Sequence, residues 1–243
     1  MKISVVIPAL NEEETVAGVV RAVLADEPWE VLVIDADSAD GTAREAARAG
    51  ARVLNWRDIL PDIPPRAGKG ESLWRGVAAA RGDVVVFVDA DLESAAPGMV
   101  SALVAPFGDP GTMMVKAAYQ RSLNGNPTGG GRVTELTAKP LLRRFFPELG
   151  HISQPLGGEY AVRRDAALDV PFAHGYGVEA GLLIAMAQKF GARAIREVPL
   201  GTRVHRNRPL EELAPMADVV AGTILDLANQ GVTGERPPLW GII

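Results

Sequence analysis

The chain has 243 residues, of which 25 are Lys or Arg and 30 are Asp or Glu, so its formal net charge is −5. Apolar residues make up 47% of the sequence, which is typical of one soluble globular domain. Because the chain contains no cysteine, disulfide bonds, thiolate metal sites and cysteine nucleophiles are excluded, and we expect a cytoplasmic protein. The acidic balance argues against nucleic-acid binding. The apolar runs are too short for a membrane helix, which predicts no membrane insertion.

Short β-branched runs alternate with helical patterns in the N-terminal part of the chain. Four of these runs, at residues 3–7, 31–34, 51–54 and 84–88, are nearly continuously apolar, as expected of strands covered on both faces. The alternation predicts βαβ units around a mostly parallel sheet, which is an α/β fold.

Helical periodicity appears between these runs. One predicted helix face carries the apolar residues Val16, Val19, Val20, Val23 and Leu24. We expect Asn11 to cap this helix, with Glu14 in the capping-box position. A second helix is predicted to open at Thr42, and a third to cover residues 71–81.

Glycine and proline become frequent after Asp91, which predicts an excursion from the sheet rather than a fifth βα unit. Helices are then predicted over residues 133–146, 178–190 and 211–229, and strands near 159–163 and 194–198. We find no internal repeat, so the sequence predicts one domain, 1–243, with a nucleotide-binding-like first half and an irregular second half.

Acidic residues follow three of the predicted strands. Glu12 follows the first strand, Asp35 and Asp37 the second, and Asp89 and Asp91 the fourth. Because ligands bind at the carboxyl ends of parallel strands, these carboxylates are expected at one edge, where a divalent cation would relieve their repulsion. Asp89 and Asp91 would point the same way on extended backbone and suit Mg²⁺ or Mn²⁺. Alternatively, one of them caps a helix and the other is solvated.

Three further segments predict anion binding. Lys69 stands between Gly68 and Gly70 at a helix start, where an ammonium and backbone N–H groups can hold an anion. Arg132 follows three glycines in the same kind of setting. His205 lies in the most basic stretch and is a third metal ligand or a diphosphate partner. The alternatives are that Lys69 is a solvated lysine, that Arg132 lies in a plain loop before an ordinary helix, and that His205 is a surface imidazole.

Glu179 begins the predicted 178–190 helix and could hydrogen-bond sugar hydroxyls or simply favour the helix dipole.

The motifs at residues 5–13, 66–71, 129–136, 154–160, 175–179 and 205–210 occur together over nearly the whole chain. With the Asp-x-Asp at Asp89 they resemble GT-A fold nucleotide-sugar glycosyltransferases, most closely the retaining glucosyl-3-phosphoglycerate synthases. The resemblance implies a single GT-A domain and transfer of glucose from UDP-glucose to 3-phosphoglycerate. It also implies Mg²⁺ or Mn²⁺ as cofactor and a homodimer. Residues 1–91 would bind the nucleotide sugar, and residues 92–243 would bind the acceptor.

The resemblance assigns roles residue by residue. The nucleotide sugar would be bound by Pro8, Ala9, Leu10, Glu12, Ala36, Asp37, Lys69, Asp89, Ala90, Tyr176, Glu179 and Arg203. The acceptor would be bound by Gly131, Arg132, Thr134 and Asn207. The metal would be held by Asp91 and His205. The catalytic residues would be Leu156 (through its backbone), Glu179 and Asp91.

Several alternatives stay open at this point. Ala36 cannot hydrogen-bond a base, so Asp37 or backbone groups would have to recognise uracil, and the base could instead be guanine. The donor could be GDP-mannose, and the acceptor another small anionic hydroxyl compound. A sugar-1-phosphate nucleotidyltransferase would carry a glycine- and arginine-rich loop after the first strand, which this chain lacks. A non-catalytic nucleotide-sugar binding protein is the remaining alternative.

Overall fold

The computed structural model describes residues 1–121, 131–203, 210–228, 236 and 238–241. These residues form a seven-stranded sheet flanked by helices. The strands are β1 Ile3–Ala9, β2 Glu30–Asp35, β3 Arg52–Asn55, β4 Val84–Phe87, β5 Met114–Arg121, β6 Tyr160–Arg163 and β7 Ile195–Arg203.

The α-helices are α1 Val16–Leu24, α2 Thr42–Arg48, α3 Lys69–Ala79, α4 Met99–Val104, α5 Lys139–Phe145, α6 Arg164–Leu168, α7 Val178–Phe190 and α8 Leu210–Ala228. One π-helical turn, Thr134–Ala138, leads into α5. None of the helices in the described part of the chain is both long and apolar enough to cross a membrane.

The sheet has the strand order β3-β2-β1-β4-β6-β5-β7. The pairs β1–β2, β1–β4, β2–β3 and β5–β7 are parallel, whereas β6 runs antiparallel to both β4 and β5. The predicted mostly parallel α/β fold is therefore confirmed. Because β1, β2 and β4 run in the same direction, their carboxyl ends meet at one edge of the sheet.

The core lies on both faces of the sheet, as the two-residue period of a strand requires. On β1, Val5 and Ile7 pack into one apolar cluster with α1 and α4, whereas Val6 packs into the other with α3, α7 and α8. This arrangement explains why the first strands read as continuous apolar runs, because both sides of each strand are covered.

The helical periodicity was a reliable guide to helix position but not to capping. α1 covers the apolar residues predicted for it, and α7 has the predicted limits. The prediction that Asn11 caps α1 is wrong, because the helix begins after Thr15. Asn11 has φ +57°, and its side chain accepts a hydrogen bond from the N–H of Ala39 at 2.9 Å. It therefore ties the loop after β1 to the loop after β2.

The predicted excursion after Asp91 is wrong where it excludes a further strand. Met114–Arg121 forms β5, which lies inside the sheet between β6 and β7. Its buried residues Val115 and Ala117 alternate with Lys116, and that lysine interrupts the apolar run by which the other strands were identified.

Candidate active site

A cavity of about 510 Å³ opens at the carboxyl ends of β1, β2 and β4. Its volume lies in the range of small-molecule sites, about 300 to 1,000 Å³. The strand ends contribute Pro8, Ala36 and Asp89, and the start of α3 contributes Lys69. The opposite wall comes from residues 131–134, from the start of α7 and from α8. The fold thus assembles one hollow from both halves of the chain.

Lys69 is a cation at the strand-end side of this cavity. Its Nζ forms ion pairs with Asp89 and with Oε1 of Glu179, the latter at 2.5 Å. Burial alone would lower the pKa of Lys69, but Asp89 and Glu179 raise it well above its ordinary value. The side chain is therefore an ammonium at any physiological pH.

Glycines allow the N-terminus of α3 to approach the segment before α7. Gly68 has φ +116°, and a Cβ there would lie 2.7 Å from the Cα of Gly175. A Cβ on Gly70 would overlap the carbonyl oxygen of Ala173. This close approach brings Lys69 within reach of Glu179.

A second layer of ionisable groups lies close to Lys69. Lys116 is fully buried, and its Nζ donates a hydrogen bond to the carbonyl of Gly157 at 2.6 Å. Burial lowers the pKa of Lys116 to about 8, while the carboxylates of Glu179 and Glu159 oppose that shift. Burial and the charge of Glu179 raise the pKa of Tyr160 well above its ordinary value. Tyr160 therefore stays a neutral phenol.

The turn at residues 156–158 contacts both groups, Lys116 through the carbonyl of Gly157 and Asp89 through Gly158. Leu156 lines the cavity. A Cβ on Gly158 would overlap the carboxylate of Asp89, and one on Gly157 would lie 2.7 Å from the hydroxyl of Tyr119. Neither position has room for a side chain, so only glycine fits at residues 157 and 158.

The structure brings together most of the predicted site residues. Those that line the cavity are Pro8, Ala9, Leu10, Glu12, Ala36, Lys69, Asp89, Ala90, Asp91, Gly131, Arg132, Thr134, Leu156, Tyr176 and Glu179. His205 and Asn207 lie outside the described residues, as does the side chain of Arg203, whose backbone ends β7.

Asp37 is the exception among the predicted side chains that the structure describes, because it does not line the cavity. Nε of Arg57 donates to its carboxylate at 2.7 Å and Nδ2 of Asn55 donates at 3.0 Å. These hydrogen bonds, led by that of Arg57, lower the pKa of Asp37 to about 2. That Asp37 contacts the nucleotide stays a prediction, with its carboxylate held by Arg57 and Asn55 outside the cavity lining.

Asp89 and Asp91 do not point the same way from extended backbone, so that prediction is wrong. β4 ends at Phe87, and the chain turns at Ala90 and Asp91. Asp89 is paired with Lys69, whereas Asp91 is exposed at the cavity rim. The acidic residues after the three strands do not converge on one metal site. Within residues 1–121, 131–203 and 210–228, no three His, Asp or Glu side chains form a group that could hold a metal ion. An exposed carboxylate at the rim fits a divalent cation whose other ligands include oxygens of a substrate.

Comparison with known proteins places this site in a family. The family model described as "Glycosyl transferase family 2" matches residues 4–169. Glucosyl-3-phosphoglycerate synthase of Mycolicibacterium paratuberculosis is 50% identical over 238 residues, which cover 92% of this chain and 71% of that protein. The chain belongs to the glucosyl-3-phosphoglycerate synthases of glycosyl transferase family 2. The synthase of Petrotoga mobilis is 44% identical, over 93% of this chain and 73% of that protein.

Solved structures agree with this assignment. A crystal structure of the Mycobacterium tuberculosis glucosyl-3-phosphoglycerate synthase matches with a TM-score of 0.91 at 42% identity, covering 100% of this chain and 91% of that one. That crystal contains Mn²⁺, UDP-glucose and phosphoglyceric acid. Another, with the same TM-score, identity and coverage, contains Mn²⁺, UDP-glucose and glycerol 3-phosphate. The predicted GT-A family and fold are confirmed.

Two groups of residues in and behind this cavity were not predicted from the sequence. The first consists of cavity-lining residues with no chemical signature: Trp56, Ala67, Ser72, Val133, Leu213, Met216 and Val220. The second is the buried pair Lys116 and Glu159, which are charged residues beside apolar strand segments. A charged residue inside a buried strand was the signal that could have identified the second group.

Proposed function

We propose that this chain transfers glucose from UDP-glucose to the hydroxyl of 3-phosphoglycerate, with retention of anomeric configuration and with a divalent cation as cofactor. The observation that carries the proposal is the single cavity that joins Lys69, Asp91 and Arg132. A transferase needs one hollow that holds a pyrophosphate and an anionic acceptor together, because proximity supplies much of the rate acceleration. A nucleotide-sugar binding protein would have no need of the acceptor end.

The nucleotide end of the cavity consists of the strand ends. Pro8, Ala9 and Ala36 offer an apolar wall to the base, and Lys69 offers its ammonium to the diphosphate. Asp91 and His205 would hold Mg²⁺ or Mn²⁺, which when bound neutralises charge on the departing nucleoside diphosphate. Because Ala36 has no polar side chain, the base would be recognised by backbone groups or by Asp37, whose carboxylate Arg57 holds in place.

The sugar would lie against Glu179 and Tyr176. The Glu179 carboxylate lines the cavity, where Lys69 fixes it through an ion pair to Oε1. It can therefore accept a hydrogen bond from a sugar hydroxyl. Asp89 and Glu179 are both paired with the Lys69 ammonium, which makes either carboxylate a poor nucleophile. This pairing favours attack by the acceptor hydroxyl on the face that the leaving group departs from, beside the Leu156 backbone.

The acceptor end is the start of the helical segment at residues 131–134. Gly131 has φ +73°, and its carbonyl accepts the N–H of Glu135 at 2.9 Å, so the segment turns helical immediately. The guanidinium of Arg132 can bind a carboxylate or phosphate with two parallel hydrogen bonds, and Thr134 adds a hydroxyl. Residues 1–91 thus supply most of the nucleotide end, and residues 92–243 the acceptor end.

The same proposal includes a homodimer and a cytoplasmic location. The resemblance of the whole chain to its family supports the dimer, and the absence of cysteine supports a reducing compartment. Light scattering of the purified chain tests the first. Fractionation of the source cells tests the second.

The function is tested by product identification. The protein is incubated with Mn²⁺, 3-phosphoglycerate and, in separate reactions, UDP-glucose, GDP-glucose or GDP-mannose. We expect UDP release from UDP-glucose, together with a glucosylated phosphoglycerate whose anomeric proton coupling matches that of the donor. An inverted product would overturn retention. Binding of UDP-glucose without turnover on any acceptor would favour the non-catalytic alternative.

A further inference from the structure

Lys116 is a buried cation on the second strand from one edge of the sheet. It lies on β5, opposite Tyr160 on β6 and Glu197 on β7, and its side chain is 0% exposed. Burying an ammonium is costly unless hydrogen bonds and opposite charges compensate. Its Nζ lies 4.4 Å from the ring centroid of Tyr160 and donates to the carbonyl of Gly157 at 2.6 Å.

The segment that contains Gly157 is fixed to β5 at further points. Nε2 of Gln154 donates to the carbonyl of Tyr119 at 3.0 Å, and the N–H of Ala117 donates to the carbonyl of Glu159 at 3.1 Å. The bond from Lys116 falls between these two along the segment. Within the turn the N–H of Gly157 donates to the carbonyl of Gln154 at 3.0 Å, so Lys116 fixes the other side of Gly157, its peptide with Gly158.

This turn lies directly against the cavity. Leu156 lines the cavity, and Gly158 is so close to the carboxylate of Asp89 that no side chain fits between them. The C=O and N–H of a trans peptide point in opposite directions, and no described peptide bond is cis. Because the Gly157 carbonyl points at Lys116, the N–H of Gly158 points away from Lys116.

We propose that Lys116 is a positioning residue for sugar transfer: it fixes the Gly157–Gly158 peptide plane and so holds the backbone of residues 156–158 at the sugar end of the cavity. The inference rests on the proposed function and extends it, because it assigns a role to a residue that lies outside the cavity lining. Gly157 could not be held from the cavity side, where a ligand must enter. A long side chain from the neighbouring strand reaches its carbonyl from behind.

The surroundings of Lys116 explain why the donor is a cation. The carboxylates of Glu179, Glu159 and Asp89 all favour its charged form, and the ammonium of Lys69 disfavours it. These three carboxylates and two ammonium groups form one cluster, in which Lys69 and Asp89 are partly exposed at the cavity and the others are buried. Lys116 thus keeps the cluster close to neutral while it binds the turn.

The chain contains no cysteine, so a thiol introduced at position 116 can be modified alone. We would produce Lys116→Cys, alkylate it in denaturant and refold it in two forms. An S-aminoethyl group restores an ammonium at nearly the original distance, whereas an S-propyl group has the same shape without charge or donor. Lys116→Met provides an uncharged side chain of similar length without alkylation or refolding. Lys189→Met, which removes an exposed lysine paired with Asp169, is the matched control.

The expected result separates kcat from KM. For Lys116→Met and the S-propyl form we expect kcat about 10- to 100-fold lower, since displacement of a reacting group by about 1 Å costs on the order of 100-fold. KM for UDP-glucose should change less than about threefold, because the nucleotide end is untouched. The S-aminoethyl form should recover most of kcat. Equal kcat in the S-propyl and S-aminoethyl forms, or wild-type kcat in Lys116→Met, would overturn the proposal.

A second measurement does not depend on turnover. In ¹H–¹⁵N spectra of the two alkylated forms, the amide of Gly158 should match wild type only in the S-aminoethyl form. An identical Gly158 amide in both forms would also overturn the positioning role. An inactive wild type would overturn the proposed function instead, so the two failures can be distinguished.

Discussion

Two aspartates only two positions apart, Asp89 and Asp91, have different surroundings. Asp89 is mostly buried and paired with Lys69, whereas Asp91 is exposed at the cavity rim. We therefore expect Asp91→Asn to remove most of the Mn²⁺-dependent turnover. The free energy of unfolding should change by less than about 0.5 kcal/mol. Asp89→Asn should lower that free energy by on the order of 2 kcal/mol, because it leaves a buried ammonium with one partner fewer.

Mn²⁺ titration of activity and urea denaturation of both variants check these effects. Equal losses of stability in the two variants would contradict the assignment of separate roles. So would full metal-dependent activity of Asp91→Asn.

Arg132 tests the acceptor end of the cavity. A charge-assisted hydrogen bond contributes about 1.5 to 3 kcal/mol. We therefore expect Arg132→Ala to raise KM for 3-phosphoglycerate about 10- to 100-fold and to leave KM for UDP-glucose nearly unchanged. Arg132→Lys should recover only part of the loss, because lysine lacks the two-pronged geometry. Steady-state kinetics measure both constants, and an unchanged acceptor KM would remove Arg132 from the site.

The pKa of Lys116 predicts a pH dependence of stability. Burial lowers this pKa from 10.5 to about 8. The unfolded chain therefore binds more protons between pH 8 and 10, and the energetic penalty of the buried ammonium decreases as pH rises through that window. Wild type should gain unfolding free energy relative to Lys116→Met, by on the order of 1 kcal/mol per pH unit. Urea denaturation of both proteins at pH 7, 8, 9 and 10 measures the difference, and a difference independent of pH would contradict it.

At the scale of the secondary-structure elements, the contact between α3 and the segment before α7 fixes the position of Lys69 relative to Glu179. Gly70, in the first turn of α3, packs against the carbonyl of Ala173. We expect Gly70→Ala to push α3 away, to cost about 1 to 3 kcal/mol of stability and to weaken UDP binding, because Lys69 moves away from Glu179. Gly18→Ala on α1 is the control: no atom lies within 4 Å of its Cβ position, so alanine should stabilise by about 0.5 to 1 kcal/mol.

Thermal denaturation and calorimetric titration with UDP and Mn²⁺ compare the two glycine variants. If Gly70→Ala bound UDP as wild type does, the position of α3 would not matter for the nucleotide end.

Elements with a regular apolar period could be predicted from the sequence, and elements defined by distant partners could not. α1 and α7 were predicted because their buried faces follow the helical period. β5 was missed because Lys116 interrupts its pattern, and the partner that accounts for this lysine, Gly157, lies 41 positions later in the chain. The capping prediction failed for a similar reason, since Asn11 bonds to Ala39 in another loop.

In the candidate site, too, residues with a local sequence signal were predicted, and interactions with distant partners were not. Acidic residues after predicted strands identified Asp89 and Asp91, and glycine-flanked cations identified Lys69 and Arg132, because these signals are local. Asp37 also follows a predicted strand, but no local pattern indicated its tertiary partner Arg57, which holds it outside the cavity lining. The roles of Tyr176 and Leu156 came from the family resemblance, although the glycines beside Tyr176 had already marked its position at a helix start.

For the molecule as a whole, the account depends on one cavity that is completed by both halves of the chain. The parallel strands place the nucleotide end at the carboxyl edge of the sheet, and α8 closes the opposite side with Leu213, Met216 and Val220. A donor and an acceptor bound there together would exclude water from the sugar, which favours transfer over hydrolysis.

The most direct test of this shared cavity is the ³¹P relaxation of 3-phosphoglycerate in a dead-end complex with UDP and Mn²⁺. The account predicts strong paramagnetic relaxation of the acceptor phosphorus in wild type, and little in Asp91→Asn with the acceptor still bound. Saturating binding of UDP, Mn²⁺ and 3-phosphoglycerate without any relaxation of the acceptor phosphorus would mean that the two ligands occupy separate sites, and it would contradict the account.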